Sequence, residues 1–178
     1  MLKSIMLSIT LLWMPLIAHA DTALGMVTTR LEGEDMKTWL IIDNENADLS
    51  DIAEFAQGSS SFGYLTITAM PAENLNPAQN ALTLEAMLEK DGGKIRAITP
   101  VVSVLPDGPS APYWKSDEDS GSIDIKAFKV TNSDGWLDIT GTFTGTVYKV
   151  EMTDYGEQFF YEEPRKILGR FNATLPVE

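Results

Sequence analysis

The sequence predicts an all-β protein: a single antiparallel β-sandwich or open barrel of about nine strands with one short helix. Runs rich in β-branched and aromatic residues alternate between apolar and polar positions, as strands with one buried face do. Glycine, asparagine and aspartate separate these runs at short intervals, which is typical of antiparallel hairpins.

Six strands are predicted in the first 105 residues. The first two bracket residues 32–35, where Gly33 supplies the backbone freedom that a tight turn demands. Apolar side chains occupy every second position of residues 82–88, so one face of that strand is expected to be buried. Pro100 lacks the amide hydrogen that a ladder needs and marks an edge or a bend. The predicted strands are residues 24–31, 38–43, 64–70, 82–88, 95–99 and 101–105.

The second half of the chain continues this pattern. Residues 123–130 form the next predicted strand, residues 132–135 a hairpin turn, and residues 136–152 a long return strand. One face of the return strand is apolar and contains Gly141 and Gly145, while the other carries a row of threonines. Glycine weakens a strand interior, so a large neighbouring side chain is expected to fill the space beside each one. The candidate side chains are Trp39, Phe128 and Phe171.

The remaining elements are one strand and one helix. The last predicted strand spans residues 167–175. Residues 48–57 form the predicted helix, because Leu49, Ile52 and Phe55 are spaced to give one apolar face. No linker rich in proline and glycine divides residues 21–178, so they are predicted to form one domain.

The first 20 residues have the order of a cleavable secretory signal peptide. Lys3 precedes an apolar stretch at residues 5–17, and Ala18-His19-Ala20 supplies a cleavage site of small residues before Asp21. The alternative is an uncleaved anchor, but the apolar stretch is short for a membrane span and Pro15 interrupts it. The chain has no cysteine that could carry a lipid. We therefore expect a periplasmic or secreted protein that has no membrane association after cleavage.

Composition excludes several classes of function. Without Lys3, 12 basic residues remain against 26 acidic ones, a formal net charge of −14 that disfavours nucleic acid as a partner. The only histidine is His19, inside the signal peptide, and there is no cysteine. Ser-His-Asp and Cys-His catalysis and the usual zinc, copper and non-haem iron sites therefore lack their residues. No cofactor motif is found, and we expect no cofactor.

Carboxylate chemistry is what remains. Asp119-Ser120-Gly121 matches the tripeptide of aspartic proteases, but it occurs once where two copies are needed. A glycosidase pair depends on a spatial separation that the sequence does not show. No metal site is predicted, and the nearest calcium candidates are Asp117 and Asp119, with a second acidic group at residues 43–51. Neither group has the order of an EF-hand loop.

Aromatic residues indicate a binding function. Two predicted loops, residues 109–114 and 155–161, carry aromatic side chains beside proline and acidic residues. Exposed rings of this kind stack on sugars or clasp a peptide, whereas buried ones would plug the open edge of the core. The candidate ligand-binding residues are Tyr113, Trp114, Phe160 and Tyr161. Asn172 begins a glycosylation sequon, which matters only in a host that glycosylates.

The C-terminal half contains Gly-Ser-Ile-Asp-Ile at residues 121–125, Gly-Thr-Phe-Thr-Gly-Thr-Val at residues 141–147 and Gly-Arg-Phe-Asn at residues 169–172. In these segments it resembles secreted or periplasmic bacterial β-sandwich domains of unknown function. The resemblance extends over residues 121–175. It implies the fold and the compartment, and it brings no catalytic residues. Many such domains are lipoproteins, and this chain departs from them because it has no cysteine to acylate.

Together these features predict a soluble exported protein, not an enzyme, with a binding or interaction role toward a protein, a peptide or a glycan. A carboxylate-dependent hydrolase acting on glycans or peptides is the first alternative. A structural or envelope-assembly subunit, joined through exposed strand edges, is the second.

Overall fold

The computed structural model describes residues 23–42, 60–72, 80–92, 94–117, 119, 123–133 and 136–176. This part of the chain is all-β, with nine antiparallel strands and no helix. The predicted helix at residues 48–57 and the predicted signal peptide lie outside the described residues. The strands are β1 (Ala23–Leu31), β2 (Lys37–Ile42), β3 (Phe62–Pro71), β4 (Ala81–Asp91), β5 (Lys94–Leu105), β6 (Tyr113–Lys115), β7 (Ile123–Ser133), β8 (Trp136–Thr153) and β9 (Gly156–Pro176).

The strands form one sheet in the order β6-β5-β4-β3-β2-β1-β9-β8-β7. The three-residue strand β6 pairs with β5 on one side and with β8 on the other. The hydrogen-bonded pairing therefore passes through eight strands and returns to β6. Strand β7 pairs with the first half of β8, and β6 pairs with residues 148–150 of its second half.

The core lies on the side of the sheet where apolar residues recur with period two. In β4 the alternating residues Leu82, Leu84, Ala86 and Leu88 are all buried, as predicted. The predicted apolar face of β8 is also confirmed, with Leu137, Ile139, Phe143 and Val147 among the buried residues. All of these side chains except Ala86 join one continuous cluster with residues of β1, β2, β3, β5, β7 and β9.

A glycine faces a phenylalanine in two cross-strand pairs between β8 and β9. Gly141 pairs with Phe171, and two residues along the ladder Phe143 pairs with Gly169. A Cβ atom added to Gly141 would lie 2.5 Å from Cζ of Phe171, and one added to Gly169 would meet the Phe143 ring. Each ring therefore covers the glycine opposite it, which confirms the prediction that Gly141 makes room for a bulky neighbour and selects Phe171 as that neighbour.

A bulge replaces the predicted break between two strands. The predicted strands at residues 95–99 and 101–105 are one strand, β5, whose register shifts opposite residues 85–87. Thr99 has a φ of 47°, unusual for a β-branched residue, and Pro100 follows it. The proline thus marks a bend inside a strand, one of the two outcomes that its missing amide hydrogen predicts.

The prediction of two loops, at residues 109–114 and 155–161, is wrong for their aromatic residues, which lie in strands. Tyr113 and Trp114 belong to β6, and β9 begins at Gly156 and not near residue 167. Acidic residues and Pro164 make residues 161–164 look like a loop. In the structure these four residues bulge out of β9 opposite the single residue Tyr148, and pairing continues on both sides of them.

Candidate functional site

Three neighbouring strands hold the four predicted ligand-binding residues, but in two pairs on opposite sides of the sheet. In one row across the sheet Trp114 of β6 pairs with Lys149 of β8, which pairs with Phe160 of β9. Directly paired residues share a face, so Trp114 and Phe160 lie on one side of this part of the sheet. Tyr113 lies on the other side, in the row of Val150 and Phe159.

Cations cover the rings of the first side. The guanidinium carbon of Arg165 lies 4.7 Å from the centroid of the Trp114 ring, and Lys149 Nζ lies 5.4 Å from the centroid of Phe160. Arg165 also donates from Nε to the carbonyl oxygen of Glu32 at 2.9 Å, and from a terminal nitrogen to Glu34 at 3.0 Å. Trp114 packs against the core cluster. This side fastens the β1–β2 turn to β9, and its tryptophan is held between Arg165 and the core.

A partly buried hydrogen bond fixes Tyr113 on the second side. The Tyr113 hydroxyl donates to Oε1 of Glu157 at 2.5 Å, and Lys115 Nζ lies 2.8 Å from Oε2 of the same carboxylate. Burial raises the pKa of Tyr113 above its usual range, and the Glu157 carboxylate raises it further. Burial also raises the pKa of Glu157, but hydrogen bonds from Lys115 and Tyr113 outweigh this effect and lower it. The contacts tie β6 to β9 across β8.

Three rings on this second side form a partly exposed cluster, here called the aromatic patch: Tyr148, Phe159 and Tyr161. The rings of Phe159 and Tyr161 are 5.9 Å apart and nearly parallel, at 14°. The edge contact between Tyr148 and Tyr161 spans 4.9 Å. Tyr161 is 54% exposed. The patch therefore presents aromatic surface to solvent beside the polar pair of Glu157 and Lys115.

A carboxylate orients the exposed ring of the patch. The Tyr161 hydroxyl donates to Oδ2 of Asp117 at 3.1 Å, and this hydrogen bond raises the pKa of Tyr161. Oδ1 of Asp117 accepts a hydrogen bond from the amide of Asp119 at 3.1 Å. Both carboxylate oxygens of Asp117, which the sequence offered as a calcium candidate, thus accept hydrogen bonds from within the protein. Among the residues that the structure describes, no three acidic or histidine side chains group as metal ligands, and residues 43–51 lie outside them.

Sequence reasoning did not assign Tyr148 and Phe159 to the site. Tyr148 follows a row of threonines on the polar face of β8. An aromatic residue at the end of such a polar row could have indicated that it belongs to a binding surface. Its contact with Tyr161 depends on the bulge at residues 161–164, whose register the sequence does not show. The same bulge gives Phe159 and Tyr161 a common face with Tyr148.

No family model, curated protein or solved structure matches this chain. The described residues include no helix with the length and hydropathy of a membrane span. Functional conclusions for this chain therefore depend on its own side chains and their geometry.

Proposed function

We propose that this chain is an exported, non-enzymatic binding protein whose aromatic patch binds a glycan. The observation that carries the proposal is the contact of three rings around the half-exposed Tyr161. A sugar ring has an apolar face of C–H groups and a rim of hydroxyls. The patch is complementary to it, because ring faces lie beside the carboxylates of Asp117 and Glu157.

The fixed geometry of the patch favours binding over a structural role alone. Tyr161 is held by an edge contact, a stacked contact and a hydrogen bond. A ring that is already oriented loses less conformational freedom when a ligand settles on it. A large side chain that is held in place and remains 54% exposed is suited to meet a partner.

The architecture and the compartment belong to the same proposal. We infer that the sheet is rolled into a barrel, and what supports this is the pairing of β6 with both β5 and β8. Export is supported by the order of residue types at residues 1–20. In a barrel of this kind the binding residues lie where β8 and β9 extend past the core.

Calorimetric titration with soluble oligosaccharides tests the binding proposal. The probes are cellohexaose, chitohexaose and maltohexaose, and we expect one of them to bind. Tyr161→Ala should weaken that binding about fivefold, since the loss of a stacked ring contributes on the order of 1 kcal/mol. Phe62→Ala is the matched control, because Phe62 is 55% exposed and lies on β3, away from the patch. We expect its affinity to equal that of the parent protein.

Three results would overturn the proposal. One is the absence of heat with all three oligosaccharides, and another is an equal loss of affinity in both variants. The third is the appearance of shorter sugars when the titrated mixture is separated by chromatography, because a protein that only binds leaves its ligand intact.

A further inference from the structure

The outer face of β7, β8, β9 and β1 gathers cations in an acidic protein. Its side chains form rows across the sheet that are set by the pairing register. One row contains Lys126, Thr142, Arg170 and Thr28, the next contains Asp124, Thr144, Leu168 and Arg30, and flanking rows add Lys129 and Lys166. We call this surface the basic face, defined by Arg30, Lys126, Lys129, Lys166 and Arg170, all of them exposed.

The cations of the basic face are mostly without carboxylate partners. The six ion pairs among the described residues use Lys37, Arg96, Lys115, Lys126, Lys149 and Arg165. Only Lys126 of these belongs to the basic face. Arg170 donates from Nε to the Thr28 hydroxyl at 3.0 Å, and Lys166 donates to the Thr146 hydroxyl at 2.9 Å. Within the described residues, four of the five cations of this face are thus free to meet an external anion.

Four carboxylates lie on this face or at its margin. Asp124 lies 3.2 Å from Lys126, and Asp138 accepts a hydrogen bond from the Thr174 hydroxyl at 2.8 Å. At the margin, Glu32 accepts a hydrogen bond from the backbone amide of Lys166, and Glu34 pairs with Lys37 and Arg165, which lie outside the basic face. The five cations of the basic face therefore exceed the carboxylates that are left to offset them, although the whole chain carries a formal net charge of −13. Potentials at a protein surface depend on such local arrangements and not only on the sum.

Two hollows lie side by side on the basic face, and each contains a guanidinium group. A hollow of about 270 Å³ is lined by Met26, Thr28, Arg170, Phe171 and Asn172. A hollow of about 350 Å³ is lined by Arg30, Glu32, Gly33, Glu34, Lys166 and Leu168. A guanidinium group donates a planar pair of hydrogen bonds that matches a carboxylate, a sulfate or a phosphate. The hollow at Arg170 has no carboxylate in its lining and is suited to an anionic group. In the hollow at Arg30 the Glu34 carboxylate is paired with Lys37 and Arg165, and the Arg30 guanidinium supplies the site for a second anionic group of the same extended ligand.

We propose that the basic face binds an acidic polysaccharide. Arg30 and Arg170 bind its anionic groups, and the threonine hydroxyls of β8 exchange hydrogen bonds with its sugar hydroxyls. Two other extended polyanions fit less well. A nucleic acid base needs a ring to stack on among the cations, but the described rows that hold these cations have none, and the aromatic patch begins beyond them at Tyr148. An acidic peptide that adds a strand needs a free edge. Among the strands of this face β7 has one, but Arg30 and Arg170 lie on β1 and β9, which are paired on both sides.

Binding to oligogalacturonate tests this proposal, with its methyl ester as the uncharged control of the same backbone. We expect the parent protein to bind oligogalacturonate and not the ester, and the affinity to fall as salt is raised. The double variant Arg30→Gln, Arg170→Gln should bind at least tenfold more weakly. The matched double variant Lys94→Gln, Arg96→Gln removes the same charge from β5, and its affinity should stay within about twofold of the parent. Thermal melts of both double variants verify that each is folded.

Several outcomes would overturn the proposal. Equal weakening in both double variants would show that only total charge matters. Binding of a single-stranded oligothymidylate as tight as that of oligogalacturonate would point to unselective attraction of polyanions. A dimer in sedimentation experiments that the Arg30→Gln, Arg170→Gln variant loses would show that a second copy of this chain occupies the face. Tyr161→Ala should leave oligogalacturonate binding unchanged, so failure here and failure of the aromatic patch are separate results.

Discussion

Single residues decide how closely β8 and β9 pack. Phe171 is 3% exposed and Phe143 is 2% exposed, and each ring lies over the glycine that pairs with it. A glycine in a strand costs stability because its backbone is freer in the unfolded chain. Here the ring that covers it recovers buried apolar area and shields the backbone. Gly141 and Gly169 therefore act through the volume that they leave empty.

Replacing Gly141 with valine tests this packing. The new Cβ would lie 2.5 Å from Cζ of Phe171, so the ring must move within a filled core. Overpacking of this kind costs about 1–3 kcal/mol, and urea denaturation should show a loss of that size in the free energy of unfolding. Thr144→Val, at an exposed position of the same strand, controls for the valine itself. Equal stability of Gly141→Val and the parent would contradict the pairing of ring and glycine.

At the scale of elements, the short strand β6 joins two long ones. Three residues provide few ladder hydrogen bonds, so side chains must hold β6 in place. Tyr113 and Lys115 both bind the Glu157 carboxylate of β9, and the Arg165 guanidinium lies over the Trp114 ring. The Ser116 hydroxyl also accepts the backbone amide of Val102, at 2.9 Å. These contacts compensate for the shortness of the strand.

The acid dependence of folding tests the link through Glu157. Its pKa lies below the ordinary value of 4.5 in the folded protein, because the hydrogen bonds from Lys115 and Tyr113 outweigh burial. A lowered folded-state pKa stabilises the fold above the unfolded-state pKa, and this contribution disappears as the pH falls through the folded-state value. We expect the parent to be more stable than Glu157→Gln at neutral pH by about 1 kcal/mol or less. That difference should shrink as the pH falls below 4.5 and through the lowered pKa of Glu157.

A double-mutant cycle isolates the ion pair in this measurement. Urea denaturation of Glu157→Gln, Lys115→Gln and the double variant gives the coupling energy between the two side chains. We expect a favourable coupling at neutral pH that weakens as the pH falls through the lowered folded-state pKa of Glu157. A coupling energy that stays constant from neutral to strongly acidic pH would show that the charge of Glu157 does not hold β6.

At the scale of the whole molecule, charge is unevenly distributed. The formal net charge of −13 predicts repulsion from anions. The fold nevertheless brings Arg30 of β1 beside Leu168 of β9, and Arg170 beside Thr28, so that cations from distant parts of the chain share one face. Acidity of the remaining surface favours solubility. A protein of this kind can remain soluble at high concentration and still bind an anionic ligand at one place.

The order of residue types at residues 1–20 predicts that the protein is exported and cleaved. When the full sequence is expressed in a bacterium, mass spectrometry of the periplasmic or culture fraction should find an N-terminus at Asp21, because the small residues at positions 18–20 suit signal peptidase. Ala20→Pro should block cleavage and retain the longer chain in the membrane fraction. Recovery of the parent with residues 1–20 still attached would refute the prediction.

The sequence alone determined most of the strands, their buried faces and the need for a large neighbour beside Gly141, because alternation and turn residues are local properties of the chain. The sequence did not predict β6 or the first part of β9, where acidic residues and proline resemble a loop. Both segments are strands because they pair with β8, a contact that local sequence does not show. Only the tertiary structure decided that Tyr148 meets Tyr161 and that Arg30 lies near Arg170. The register between distant strands sets both contacts, and register depends on the pairing of the whole sheet.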